Sequence, residues 1–151
     1  MKPAARTLAA AILALAALAG AALATPRLGA ALPEGLGLPK AGSPALVVFY
    51  TRSCQEPEAW AKLWVALAAA RLPVAAVNVP ENDQAPLPVP ETAKLPALLR
   101  QDGPAALTAS RAAGTRQYPT ILVVDASRRI RAALEGWEAL PGLPAALNDL
   151  P

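Results

Sequence analysis

The chain has 151 residues, 54% of them hydrophobic but only 4% aromatic, with a net charge of +3. That length closes at most one domain around one core, built mainly from aliphatic side chains and alanine, and with no basic cluster interleaved with aromatics the charge gives no support for nucleic-acid binding. There is no histidine and a single cysteine, Cys54, which excludes Ser-His-Asp and Cys-His catalytic pairs and makes no case for a metal site or any other cofactor.

The first segment reads as an export signal. Lys2 and Arg6 precede an uncharged Ala/Leu stretch over 7–26, and Ala22-Leu23-Ala24 supplies the small-x-small pattern of signal peptidase sites, with Thr25 as the first mature residue. The stretch is also long enough to stay in a bilayer as an N-terminal membrane anchor. Either outcome predicts an extracytoplasmic domain, in the periplasm, in the cell envelope or secreted. Residues 1–24 are therefore assigned to the signal or anchor, 25–43 to a Gly/Pro-rich tether and 44–151 to the domain.

Within the domain, Ala45-Leu46-Val47-Val48-Phe49-Tyr50 predicts a buried strand. A helix follows over 58–71, with Trp60, Leu63, Trp64 and Leu67 on one apolar stripe and Glu58 and Lys62 spaced for an i,i+4 ion pair. A second apolar run over 74–79 completes a βαβ unit, whose strands should be parallel. A proline- and acid-containing loop spans 80–90, and its Glu81 and Asp83, with Glu91 just beyond, read as solvated charge. One or two short helices are expected over 91–101 and 105–113, with Gly114 as a C-cap. Residues 120–125 and 130–134 read as two more strands, antiparallel across a turn, and a last helix is expected over 137–150, its start restricted by Pro141 and Pro144.

Cys54 stands where the first strand gives way to the helix, a setting that can favour a reactive thiolate. Arg52 would add thiolate-tuning positive charge, while Glu56 and Glu58 in the same turn oppose it. Ser53-x-x-Glu56 also matches a capping box, but that would place Pro57 inside the helix, so a cap at Cys54 or later fits better. An unpaired cysteine can equally be a buried small hydrophobe.

The segment Phe49-Tyr50-Thr51-Arg52-Ser53-Cys54-Gln55-Glu56-Pro57 resembles the active-site turn of the thioredoxin family, and Tyr118-Pro119-Thr120 resembles that family's cis-proline segment before its third strand. The resemblance implies a thioredoxin-like α/β fold with a central mixed four-stranded sheet flanked by helices. It also implies Cys54 as the nucleophile and Tyr118, Pro119 and Thr120 as the substrate-binding segment. The family's second cysteine falls on Pro57, so dithiol exchange within the chain is closed, and Cys54 is left with monothiol exchange through a mixed disulfide or with oxidation to a sulfenic acid. Protein thiols or disulfides, or a low-molecular-weight thiol, are then its partners. A catalytically silent thioredoxin-like binding module is the alternative. Thr51-x-x-Cys54 is also similar to the peroxiredoxin Thr-x-x-Cys, which would imply a peroxidase as a further, lesser alternative, but Val47 stands where that family has a proline.

Overall fold

A computed structural model of the chain describes residues 25–81, 88–90 and 93–151. The export segment over 1–24 lies outside the described residues, as do Asp83 and Glu91. Among the described residues no helix is long and apolar enough to cross a membrane.

Strand β1 (Ala45–Tyr50) is buried at every position and lies at the centre of a five-stranded sheet. Helix α1 (Pro57–Ala69) returns the chain to β2 (Val74–Asn78), which pairs parallel to β1. Beyond β2 come β3 (Leu98–Gln101), then α2 (Pro104–Ala113), β4 (Thr120–Val124) and β5 (Ile130–Glu135). The spatial order is β3-β2-β1-β4-β5, with β3 parallel to β2, β4 antiparallel to β1, and β5 antiparallel to β4. A 3-10 turn (Trp137–Gly142) and the short helix α3 (Leu143–Leu147) close the chain.

Because side chains alternate along a strand, β1 feeds two cores. Leu46, Val48 and Tyr50 face the α1 side, where Trp60, Leu63, Trp64, Leu67 and Leu143 pack. Val47 and Phe49 face the other side, against Ala106, Ala109 and Ala113 of α2. The predicted stripe of α1 is thus its buried face, and Trp60 carries the aromatic contacts: its ring centroid is 5.0 Å from that of Tyr50 and 5.4 Å from that of Trp64. Lys62 and Glu58 pair at 2.6 Å on the exposed side. Helix α2 ends in a Schellman motif, with Gly114 at φ 77°, Gly114 N–H donating to Arg111 O and Thr115 N–H to Ser110 O. A Cβ on Gly114 would lie 2.9 Å from the Thr25 backbone, so the cap and the path of the chain's earlier segment require the same glycine.

Three expectations are corrected. The sheet has five strands rather than four, because Leu98–Gln101, read as part of a helix over 91–101, pairs with Val74–Val77 as an edge strand. Leu, Arg and Gln are good helix formers, and the partner strand overrides them. The closing segment is a 3-10 turn before a five-residue helix, since Pro141 and Pro144 each remove a backbone donor. Residues 25–43, read as a tether, form a strap across the α2 face. Leu32 and Leu36 are buried there, Gly29 N–H donates to Ile130 O, Leu32 N–H donates to Arg128 O, and Arg128 Nη2 donates to Leu36 O at 2.7 Å.

The strap runs beside the β4–β5 turn, which Asp125 organises. Its carboxylate accepts from the N–H groups of Ser127 and Arg129 and from Arg131 Nε at 2.6 Å. The Arg129 N–H is the chief reason that the Asp125 carboxyl is held below its ordinary range, with burial opposing and Arg131 and Ser127 adding to the effect.

Two measurements test this packing. Leu36→Ala should cost about 2–5 kcal/mol in denaturant unfolding, as for a core leucine; a free tether would leave stability within about 0.5 kcal/mol of wild type. Asp125 has its lower pKa in the folded state, so its contribution is present above the ordinary carboxylate pKa and fades as pH falls through the folded value. Asp125→Asn should therefore flatten the acid-side fall of stability in unfolding curves taken across that range.

Candidate functional site

The site forms where β1 ends. Thr51 is extended (φ −117°, ψ 171°) and caps the single 3-10 turn Arg52–Cys54, in which Cys54 N–H donates to Thr51 O. Helix α1 begins only afterwards. Its N-cap is Glu56, whose carboxylate accepts from Ala59 N–H at 3.0 Å, and Pro57 occupies the first helical position, where no donor is needed. The Ser53–Glu56 capping box does not form; Glu56 caps the helix itself. Cys54 accordingly sits two residues ahead of the helix cap, held by the 3-10 turn rather than by the helix.

Cys54 is 5% exposed and lines one wall of an open cavity of about 350 Å³. Thr51, Ser53, Val79, Pro80, Glu81, Leu107, Tyr118 and Trp137 also line it. The cavity is therefore assembled from the ends of β1 and β2, from α2, from the segment before β4 and from the first residue of the C-terminal turn. Parallel pairing is the reason that the β1 and β2 contributions meet. Tyr50 lies opposite Asn78, and Val79 N–H donates to Tyr50 O, so the chain leaving β2 runs beside the chain leaving β1.

Within the cavity wall a line of polar contacts leaves the sulfur. Cys54 Sγ is 3.6 Å from Thr51 Oγ1, Thr51 Oγ1 is 2.9 Å from Ser53 Oγ, and Ser53 Oγ donates to Glu81 Oε1 at 3.0 Å. Ser53 N–H also donates to Glu81 Oε2 at 3.1 Å. The Ser53 hydroxyl is the largest cause holding the Glu81 carboxyl below its ordinary value, followed by the Ser53 N–H, with a smaller contribution from the Thr51 hydroxyl. Arg52, expected to tune the thiolate, directs Nη1 to Gln55 Oε1 at 3.2 Å. Tyr50, at the end of β1, has its phenol pushed up to about 12, chiefly by burial, so it stays protonated across the range in which thiols exchange.

The Tyr118–Pro119 peptide is cis. Of the segment Tyr118-Pro119-Thr120, Tyr118 lines the cavity with Cys54. Its hydroxyl is 2.6 Å from Ser110 Oγ, which also contacts Thr115 Oγ1. Pro119 and Thr120 are buried behind it: the Pro119 carbonyl accepts from Gly136 N–H at 2.8 Å, and Thr120 Oγ1 donates to Gln117 O. Sequence reasoning missed Trp137 and the role of Glu81 in the wall. The available signal for Glu81 was the βαβ reading itself, because the C-terminal ends of neighbouring parallel strands lie together.

No family model matches the chain, and no curated protein matches it in sequence. Solved structures do share its fold. The pneumococcal exposed lipoprotein thioredoxin Etrx1 from Streptococcus pneumoniae is 16% identical with a TM-score of 0.53, over 72% of this chain and 86% of that one. The thioredoxin domain of a thiol-disulfide oxidoreductase from Bacteroides vulgatus is 17% identical with a TM-score of 0.53, over 81% and 99%. StoA from Bacillus subtilis is 15% identical with a TM-score of 0.50, over 82% and 98%. The chain thus has a thioredoxin-like fold, the class expected from its two motifs.

The Ser53–Glu81 pairing has a direct check. Glu81 should titrate below the ordinary carboxylate value by carboxyl-resolved NMR, and Ser53→Ala should move it upward. An unchanged titration in that variant would mean that the hydroxyl does not hold the carboxylate.

Proposed function

We propose that this chain is an extracytoplasmic thioredoxin-like protein that carries out monothiol exchange through Cys54. The observation that carries the reading is the open cavity of about 350 Å³ that Cys54 and Tyr118 line together. The Cys54 thiolate attacks one sulfur of a partner disulfide. A new S–S bond forms as the old one breaks, and the second partner sulfur leaves as a thiolate and takes a proton from water. Pro57 supplies no second thiol, so turnover uses an external one, from a protein or a small molecule. Its thiolate attacks the partner's sulfur in the mixed disulfide and returns Cys54 as a thiolate.

Of the segment Tyr118-Pro119-Thr120, Tyr118 makes the contact with the partner segment, while Pro119 and Thr120, buried behind Tyr118, hold it in place. The N-terminal segment directs the domain out of the cytoplasm, as a cleaved signal or as a membrane anchor. The 5% exposure of Cys54 favours a second reading, a catalytically silent module that binds a partner through the same recess.

One experiment separates them. The folded protein incubated with oxidised glutathione should gain a single glutathione by intact mass, and Cys54→Ser should gain none. Modification of the wild-type protein only after denaturation would remove the exchange reading and leave the silent module.

A further inference from the structure

We infer that Glu81 regulates the nucleophile: as a carboxylate it fixes the polarity of a hydroxyl chain that keeps Cys54 protonated. The inference rests on the reading of Cys54 as the exchanging thiol.

Three contacts join four groups in series, namely Cys54 Sγ to Thr51 Oγ1, Thr51 Oγ1 to Ser53 Oγ, and Ser53 Oγ to Glu81 Oε1. Each hydroxyl has one proton to donate, and a carboxylate has none. The Ser53 proton is committed to Glu81, so Thr51 must donate to Ser53. The Thr51 proton is then spent, and the remaining contact can be filled only by the Cys54 S–H.

With Cys54 as a thiol, three protons fill three contacts. With Cys54 as a thiolate and Glu81 as a carboxylate, two protons remain and one contact is lost. The two acids at the ends of the chain therefore share one proton's worth of hydrogen bonding, and their titrations are coupled. Reversing the chain gives the thiolate a donor from Thr51 but sets Ser53 Oγ against a carboxylate oxygen. Full filling in the reversed sense needs a donor at position 81.

Other charges nearby are already engaged. Arg52 donates to Gln55, and Glu56 accepts from the start of α1. Among the described residues lining the cavity, the titratable groups are Cys54, Glu81 and Tyr118. Glu81 and Ser53 are exposed at the rim while Thr51 and Cys54 are buried, so the carboxylate end of the chain is the end that a docking partner can reach. A cationic side chain beside the partner's disulfide would draw the carboxylate away and release Ser53 and Thr51 to donate toward the sulfur. Glu81 is in this sense a positioning residue, acting on Cys54 through the two hydroxyls.

The test titrates the thiolate of the folded full chain by its ultraviolet absorbance, which does not depend on exchange with any partner. Glu81→Gln places an amide donor at the end of the chain, and the midpoint should move to lower pH, with about tenfold more thiolate at a given pH below it, the order expected for one hydrogen bond. In a Thr51→Val background, the same Glu81→Gln change should have less than about a twofold effect, because the chain is cut. An unchanged midpoint in Glu81→Gln overturns the proposal. So does a shift that survives Thr51→Val, since it would then come from charge acting through space. If the coupled shift appears but no glutathione adduct forms, the exchange reading falls and the control of Cys54 by Glu81 stands.

Discussion

Strand β1 is paired along both edges and buried on both faces, and the rest of the structure depends on that placement. Its parallel pairing with β2 and antiparallel pairing with β4 consume its backbone groups, while its alternating side chains seed one core toward α1 and another toward α2. A strand so constrained cannot slip by one residue without exchanging the contents of the two cores. Its last residue is thereby fixed in space, and so is Thr51, from which the 3-10 turn carrying Cys54 departs.

The same constraint brings the polar wall of the cavity together from residues far apart in sequence. Glu81 reaches Ser53 across 28 positions because β2 ends level with β1. Tyr118 reaches the cavity because β4 begins beside the end of β1, with Phe49 opposite Thr120. Trp137 arrives through β5, whose last residue, Glu135, lies opposite Thr120. One strand end therefore positions a thiol, two hydroxyls, a carboxylate and two aromatic rings. None of these positions is chosen by local backbone preference alone.

This explains which parts of the molecule were legible in the sequence. The βαβ unit, the stripe of α1, the Gly114 cap and the β4–β5 pair carry periodicity or turn chemistry of their own, and each lies where the pattern placed it. Strand β3 carries no such signal. Leu98-Leu99-Arg100-Gln101 is a strand because Val74–Val77 offers an open edge, which is a property of the assembled sheet. The strap over 25–43 shows only two anchoring leucines, Leu32 and Leu36, within glycine- and proline-rich sequence, and the partners of its backbone lie about 100 residues later. Cys54 and Tyr118, which line one cavity, both belong to motifs with an expected address. Glu81 was read as solvated charge because a carboxylate in a loop shows nothing of the hydroxyl pointed at it.

Pro57 and the hydroxyl chain bear on the same chemical problem from opposite ends. A proline at the first helical position stabilises the start of α1 and removes the internal route by which a mixed disulfide could be resolved. In the proposed exchange, the lifetime of that intermediate is set by external thiols. While the sulfur is tied up in a disulfide it carries no proton, and the two hydroxyl protons serve the contacts between Thr51, Ser53 and Glu81. Once an external thiol frees the sulfur, the contact with Thr51 is complete only after one proton has been taken from solvent. In the proposed exchange the freed sulfur takes back one proton, matching the one that the attacking external thiol gave up on ionising, while Glu81 holds both hydroxyls on its own side.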